Sequence, residues 1–167
     1  MQPTNVEELH AGAAPDVLAM QNAQLKTRAV AGRHPGSLVI GADTIVVLDG
    51  RIFGKPRGRE DAVAMLEQLV GRRHEVITAV CLMHRSLDTE ITFTDTARVW
   101  MRTLSREQIV DYLNKINPLD KAGAYAIQEH GAGIVERIEG SYHNVMGLPT
   151  ERLAATLERI GMVRRAG

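Results

Sequence analysis

Hydrophobic residues recur along this chain at two spacings, and the spacing separates predicted helices from predicted strands. Apolar positions three or four residues apart predict helices over residues 15–31, 59–70, 105–113 and 149–160. The first helix starts at a proline and stops before a glycine, and the third begins with a Ser-x-x-Gln capping box. The expected buried positions of the first helix are Val17, Leu18, Leu25 and Val30.

Alternating and continuous apolar runs predict the strands. One run covers residues 38–48, but we expect it to break at Gly41-Ala42. Asp49-Gly50 is typical of a tight hairpin turn, so the chain should return at once along the same strand. Further strands are predicted over residues 74–83, 90–101 and 134–138, and the first two should pair with each other. This mixture of elements indicates an α/β or α+β domain with a central mixed sheet.

Composition and charge narrow the class of protein. The 167 residues are 44% hydrophobic and 24% charged, which is ordinary for a soluble globule. The formal net charge is zero and aromatic residues make up 4%, so we expect no nucleic acid as a partner. No apolar run is long enough for a membrane span, and the N-terminus lacks an export signal. Together with Cys81, a lone cysteine expected to be a buried strand thiol, this predicts a cytoplasmic protein.

Two polar clusters carry the candidate chemistry. At the expected strand break, Asp43 could hold Mg²⁺ or activate water, or could simply be a turn carboxylate. The hairpin brings back Lys55, which suits a phosphate oxygen but could also end a solvated loop. Downstream, Lys121 has the same ambiguity, and Gln128 could present a donor and an acceptor to a base edge or lie on the surface. The six histidines are scattered, and the glycine-rich signatures of P-loop and dinucleotide-binding enzymes are absent.

Five motifs, in order, resemble the Maf nucleoside triphosphate pyrophosphatases, in particular the dTTP/UTP-type branch. They are Val39-Ile-Gly-Ala-Asp-Thr44, Gly54-Lys-Pro56, Gly71-Arg-Arg-His-Glu-Val-Ile-Thr78, Asp120-Lys-Ala-Gly-Ala-Tyr-Ala-Ile-Gln128 and Asn144-Val-Met-Gly-Leu-Pro149. The resemblance implies a single α/β domain over residues 1–167, with an elongated central mixed sheet flanked by helices, as in inosine triphosphatases. It also implies an enzyme that hydrolyses a nucleoside triphosphate to the monophosphate and pyrophosphate with Mg²⁺ or Mn²⁺.

The resemblance also assigns roles to residues. Asp43 would be the proton acceptor or a metal ligand, and Lys55 would contact phosphate. Thr44 and Gln128 would belong to the set that selects the base. Two further residues match the family pattern: Lys26, a helix lysine facing the site, and Glu8, an acidic residue near the metal. We expect Asp43, Lys55, Lys121 and Gln128 to line one cleft, and a homodimer is the candidate assembly.

The sequence departs from the family pattern in one respect. Family members begin with a strand and a Ser-x-x-Arg loop that binds the triphosphate, and no serine of this chain has that pattern. We therefore expect an N-terminally truncated form of the fold, through a start assigned too late or a truncated paralogue. The alternative function is a catalytically impaired nucleotide-binding protein of this fold with a regulatory role in cell division.

Overall fold

The computed structural model describes residues 14–163, and within them five strands form one sheet in the order β2-β1-β3-β4-β5. The strands are β1 (Val39–Leu48), β2 (Arg51–Phe53), β3 (Arg73–His84), β4 (Thr89–Met101) and β5 (Val135–Glu139). The helices are α1 (Pro15–Ala31), α2 (Arg59–Leu69), α3 (Arg106–Leu113), α4 (Tyr142–Val145) and α5 (Thr150–Arg159). The predicted α/β fold with helices flanking a central sheet is confirmed.

The sheet differs from the prediction in its strand direction. Every pairing among the described residues is antiparallel, so the expected mixed sheet is wrong for this part of the chain. Short hairpins join β1 to β2 and β3 to β4, and such short connections can join only antiparallel neighbours. The first turn uses Asp49 and Gly50 in the left-handed region, with φ of 50° and 78°, as the dipeptide predicted.

Strand β1 runs through the position where a break was expected. Gly41 pairs with Cys81 and Asp43 pairs with Ala79, so the ladder with β3 is continuous. The prediction of a break at Gly41-Ala42 is therefore wrong. Cys81 is fully buried in β3, as expected, and burial raises the pKa of its thiol.

Alternate residues of the central strands point to opposite faces of the sheet, and both faces are covered by buried clusters. Ile45 and Val47 point toward α1, whereas Val46 and Leu48 point into the larger cluster that includes residues of α2 and α3. This alternation explains why the central strands are apolar on both faces. It also places the side chains of consecutive β1 residues on opposite sides of the sheet.

Helix α1 approaches β1 closely at Gly41, where its buried face carries mostly small residues. The expected positions were largely wrong, since only Leu18 of the four is buried and Val17 is 36% exposed. The observed buried face consists of Leu18, Ala19, Asn22, Ala23, Thr27 and Ala31. A Cβ on Gly41 would lie 2.2 Å from Thr27 Oγ1, so this glycine permits the close approach of helix and strand.

The remaining observations concern the start of α3, the segment that follows it, and the length of the helices. The Ser105–Gln108 capping box is present at the start of α3. Between α3 and β5 the chain forms short 3₁₀ turns, Pro118–Asp120, Ala122–Ala124 and Gly131–Gly133, and no strand. Among residues 14–163, no helix is both long enough and apolar enough to cross a membrane.

Candidate active site

A cleft opens along the outer edge of β1, beyond the end of β2. Strand β2 pairs only with residues 46–48, so within the described residues no strand covers that edge at residues 42–45. The cavity has a volume of about 300 Å³. Its lining includes six predicted site residues, Lys26, Asp43, Thr44, Lys55, Lys121 and Gln128. Residues that are 102 positions apart in the sequence therefore share one cavity.

Asp43 and Lys26 form a close ion pair in this cleft. The distance from Lys26 Nζ to Asp43 Oδ1 is 2.5 Å, and the two side chains are 19% and 5% exposed. Lys26 reaches the strand because the neighbouring Thr27 packs directly against Gly41. The Thr27 hydroxyl donates a hydrogen bond to the Ala23 carbonyl at 2.7 Å. A carboxylate buried this far would be costly without a partner, and the ammonium offsets that cost.

Thr44 points to the other face of the sheet and joins a chain of hydrogen bonds. Its Oγ1 lies 2.9 Å from Oγ1 of Thr78, which is opposite it on β3. The Thr78 hydroxyl donates to the carbonyl of Asn144 at 2.9 Å. Because that bond uses the only hydroxyl proton of Thr78, the proton between the two threonines belongs to Thr44. The oxygen of Thr44 is thus left with acceptor capacity.

The two other lysines of the cleft have different surroundings. Lys55 is exposed, and its loop is fastened by a hydrogen bond from the Gly123 amide to the Gly54 carbonyl at 3.0 Å. Lys121, with a side chain 17% exposed, lies 3.0 Å from Asp120 and 3.3 Å from Glu129. Although its partial burial opposes the charge, the hydrogen bonds to both carboxylates raise the pKa of Lys121. Its positive charge is therefore already balanced by protein groups.

The wall that carries Gln128 is held by aromatic hydroxyl groups. Tyr125, a lining residue that is 6% exposed, lies with its hydroxyl 2.8 Å from Nε2 of His74 on β3. Burial lowers the pKa of His74 to about 4, and burial raises the pKa of Tyr125, so both groups are neutral at pH 7. Gln128 itself is exposed to the cleft.

The structure thus brings together all of the described residues that the sequence predicted for the site, whereas Glu8 lies outside the described residues. Asp43 and Lys55 line the same cleft, which is the arrangement that their proposed joint role requires. Sequence reasoning did not single out Thr78, Asn144, His74 or Tyr112 for the site. The first three lie within the quoted motifs, and only a contact across the fold distinguishes them from core residues.

The comparison with known families follows this geometry. The sequence model of a family described as "Maf-like protein" matches residues 1–160. The chain belongs to this family. The dTTP/UTP pyrophosphatase of Koribacter versatilis (strain Ellin345) is 44% identical over 164 residues, which cover 98% of this chain and 84% of that protein.

Other relatives of the chain carry the same name. The dTTP/UTP pyrophosphatase of Myxococcus xanthus (strain DK1622) is 46% identical over 93% of this chain and 78% of its own length. That of Geobacillus sp. (strain WCH70) is 42% identical over 93% of this chain and 82% of its own length. The family resemblance drawn from five motifs is therefore confirmed.

Proposed function

We propose that this chain is a nucleoside triphosphate pyrophosphatase that hydrolyses dTTP and UTP to the monophosphate and pyrophosphate. The observation that carries the proposal is the buried carboxylate of Asp43, held at 2.5 Å by Lys26 in a cleft that Lys55 also lines. The relatives named dTTP/UTP pyrophosphatase support the same activity. In the proposed reaction, water attacks the α-phosphorus, the bond to the bridging oxygen breaks, and pyrophosphate leaves.

Asp43 is the proposed proton acceptor or metal ligand. As acceptor it would take a proton from the attacking water, and Lys26 would hold the carboxylate in place through their ion pair. As ligand it would share a Mg²⁺ or Mn²⁺ ion with phosphate oxygens and with Glu8, the second candidate ligand and catalytic carboxylate. No group of three or more metal-binding side chains occurs among residues 14–163, but Mg²⁺ commonly uses one or two carboxylates plus substrate phosphates. The bound ion would neutralise phosphate charge.

The two lysines Lys55 and Lys121 would contribute differently to binding the triphosphate. Lys55, exposed on its loop, is the proposed direct contact to a phosphate oxygen. Lys121 is balanced by Asp120 and Glu129, so we assign it a smaller share of phosphate binding and a larger share of shaping the wall.

The base would be selected by Thr44 and Gln128. Since Thr44 donates its proton to Thr78, its oxygen is suited to accept a hydrogen bond from the imide N–H of thymine or uracil. Cytosine has an acceptor at that ring position, so it would leave two acceptors facing each other. Gln128 adds one donor and one acceptor for the remaining base edge. This polarity favours dTTP and UTP over CTP.

The proposed substrate also fits the proposed setting. We place the protein in the cytoplasm, where it would remove nucleotides from the free pool, with a nucleoside triphosphate as its partner. We propose neither nucleic acid nor membrane as a partner, and a homodimer remains the candidate assembly.

A pyrophosphate-release assay tests the proposal. The chain is incubated with Mg²⁺ or Mn²⁺ and with dTTP, UTP, CTP, GTP or methylated GTP in parallel, and the Asp43→Asn variant serves as the matched control. We expect release from dTTP and UTP above all others, and little release by the variant. A preference for GTP or its methylated form would contradict the substrate assignment. Nucleotide binding without any release would favour the regulatory alternative.

A further inference from the structure

The hydroxyl of Tyr112 makes two hydrogen bonds to a single backbone unit. It accepts from the Ala126 amide at 2.9 Å and donates to the Ala126 carbonyl at 3.1 Å. Tyr112 is on α3, is 6% exposed, and lies 14 positions before Ala126 in the chain. A residue on a neighbouring antiparallel strand would satisfy a backbone unit in the same paired way. The side chain therefore replaces a strand partner.

The backbone at Tyr125 and Ala126 has no strand partner that could satisfy it. Tyr125 and Ala126 lie in no helix or strand, and within residues 14–163 no backbone hydrogen bond joins them to the sheet. A second cavity of about 400 Å³ adjoins Tyr112 and the following turn, where His130 and Gly133 line it. Tyr125 is also buried in the core cluster, and a hydrogen bond between its hydroxyl and His74 on β3 spans 2.8 Å.

We infer that Tyr112 is a positioning residue for base recognition, acting through Ala126 on Gln128 two residues further along. This inference rests on the proposed function, because it concerns the base-selecting side of the same cleft. Tyr112 does not line the cleft itself, whereas Ala126 and Gln128 do. Asp43 and Lys55 are carried by β1 and by the loop after β2, so the hydroxyl should affect base selection more than the chemical step.

The test is the substitution Tyr112→Phe, which keeps the ring and removes only the hydroxyl. Two buried backbone groups lose their partner, and a wall displaced by about 1 Å can lower the efficiency of a site up to 10²-fold. We expect KM for dTTP to rise roughly tenfold and the preference for dTTP over CTP to fall roughly tenfold, with kcat within about twofold. Tyr142→Phe is the matched control, since its hydroxyl makes no hydrogen bond among the described residues.

A double-mutant cycle separates positioning from a general structural role. In a Gln128→Ala background, Tyr112→Phe should change the dTTP/CTP preference no further, because its effect passes through the missing side chain. Additive effects would overturn the inference. So would a Tyr112→Phe enzyme that loses stability but keeps its KM and its base preference.

Amide hydrogen exchange supplies a readout that needs neither turnover nor a folded variant. In the wild-type chain the Ala126 amide should exchange slowly despite lying outside every strand, and Tyr112→Phe should accelerate exchange there but not in β3. Rapid exchange at Ala126 in the wild type would overturn the inference, even if the variant failed to fold. A wild-type chain that hydrolyses neither dTTP nor UTP would overturn the proposed function instead. Hydrogen exchange would then test only whether Tyr112 holds the Ala126 backbone.

Discussion

Replacing Gly41 with alanine should test how closely α1 must lie on β1. The added Cβ would be 2.2 Å from Oγ1 of Thr27 and 3.3 Å from both the Ala23 carbonyl and Thr27 Cβ. Thr27 is fully buried, and its hydroxyl already donates to Ala23 at 2.7 Å, so it cannot swing away freely. Either the helix moves off the strand or the threonine leaves its hydrogen bond.

The expected cost follows from these two routes. Overpacking a well-packed core costs about 1–3 kcal/mol, and a strained or lost hydrogen bond adds about 1 kcal/mol. We therefore expect Gly41→Ala to lower the free energy of unfolding by about 2–4 kcal/mol, which for a chain of this size lowers Tm by roughly 4–16 °C. Because Lys26 precedes Thr27, a helix that moves away should also weaken the ion pair with Asp43 and reduce activity.

Urea unfolding and thermal melts measure this effect against a matched control. Gly36→Ala adds the same methyl group where no atom lies within 4 Å, so its effect should stay within about 1 kcal/mol. Combining Gly41→Ala with Thr27→Ala should cost less than the sum of the two single changes by at least about 1 kcal/mol, because it removes the Thr27 Oγ1 that lies 2.2 Å from the new Cβ. Equal losses at Gly41 and Gly36, or strictly additive effects, would refute the reasoning.

Three further predictions concern the site and its support. Asp43→Asn should lower turnover at least about 10²-fold, and near-full activity would contradict the central assignment. Because the carboxylate is buried beside Lys26, the change should also reduce stability, which urea unfolding would detect. Lys55→Ala should raise KM and lower kcat together in steady-state assays, with little loss of stability because the residue is exposed; an unchanged kcat would contradict a contact strengthened in the transition state. Burial lowers the pKa of His74 from 6.5 to about 4. The neutral ring should therefore contribute about 3 kcal/mol to the free energy of unfolding above pH 6.5, and this contribution should be lost as the pH falls from 6.5 to 4. The free energy of unfolding of His74→Asn in urea should depend less steeply on pH over that range than that of the wild type. The same pH dependence in both proteins would contradict a stabilising role of neutral His74.

Much of the secondary structure followed from local signals. The Asp49-Gly50 hairpin and the Ser105–Gln108 capping box formed as predicted, because both depend on the conformations of a few adjacent residues. Helix α2 buries Ala62, Val63, Leu66 and Leu69, the apolar positions that its helical spacing places on one face. Local chemistry is sufficient where neighbouring residues make the decisive contacts.

Two errors share a physical cause. The sequence predicts a strand break at Gly41 and large apolar residues such as Val17 on the buried face of α1. In the structure, glycine on the strand and small residues on the helix let the two elements approach closely. A single-residue pattern ranks burial by hydrophobicity, whereas close packing selects residues by size, and the partner surface becomes known only in the fold.

The sequence by itself determined the family, the main elements and the set of candidate side chains, because motifs and periodicity are properties of order along the chain. Only the tertiary structure decided which of these residues meet. Three contacts show this: the ion pair of Lys26 with Asp43, the hydrogen bond between Thr44 and Thr78, and the hydrogen bonds of Tyr112 to Ala126. Each joins segments that are distant in sequence or lie on different elements. Their geometry depends on how helices and loops settle on the sheet, and that packing follows from the whole core rather than from any single motif.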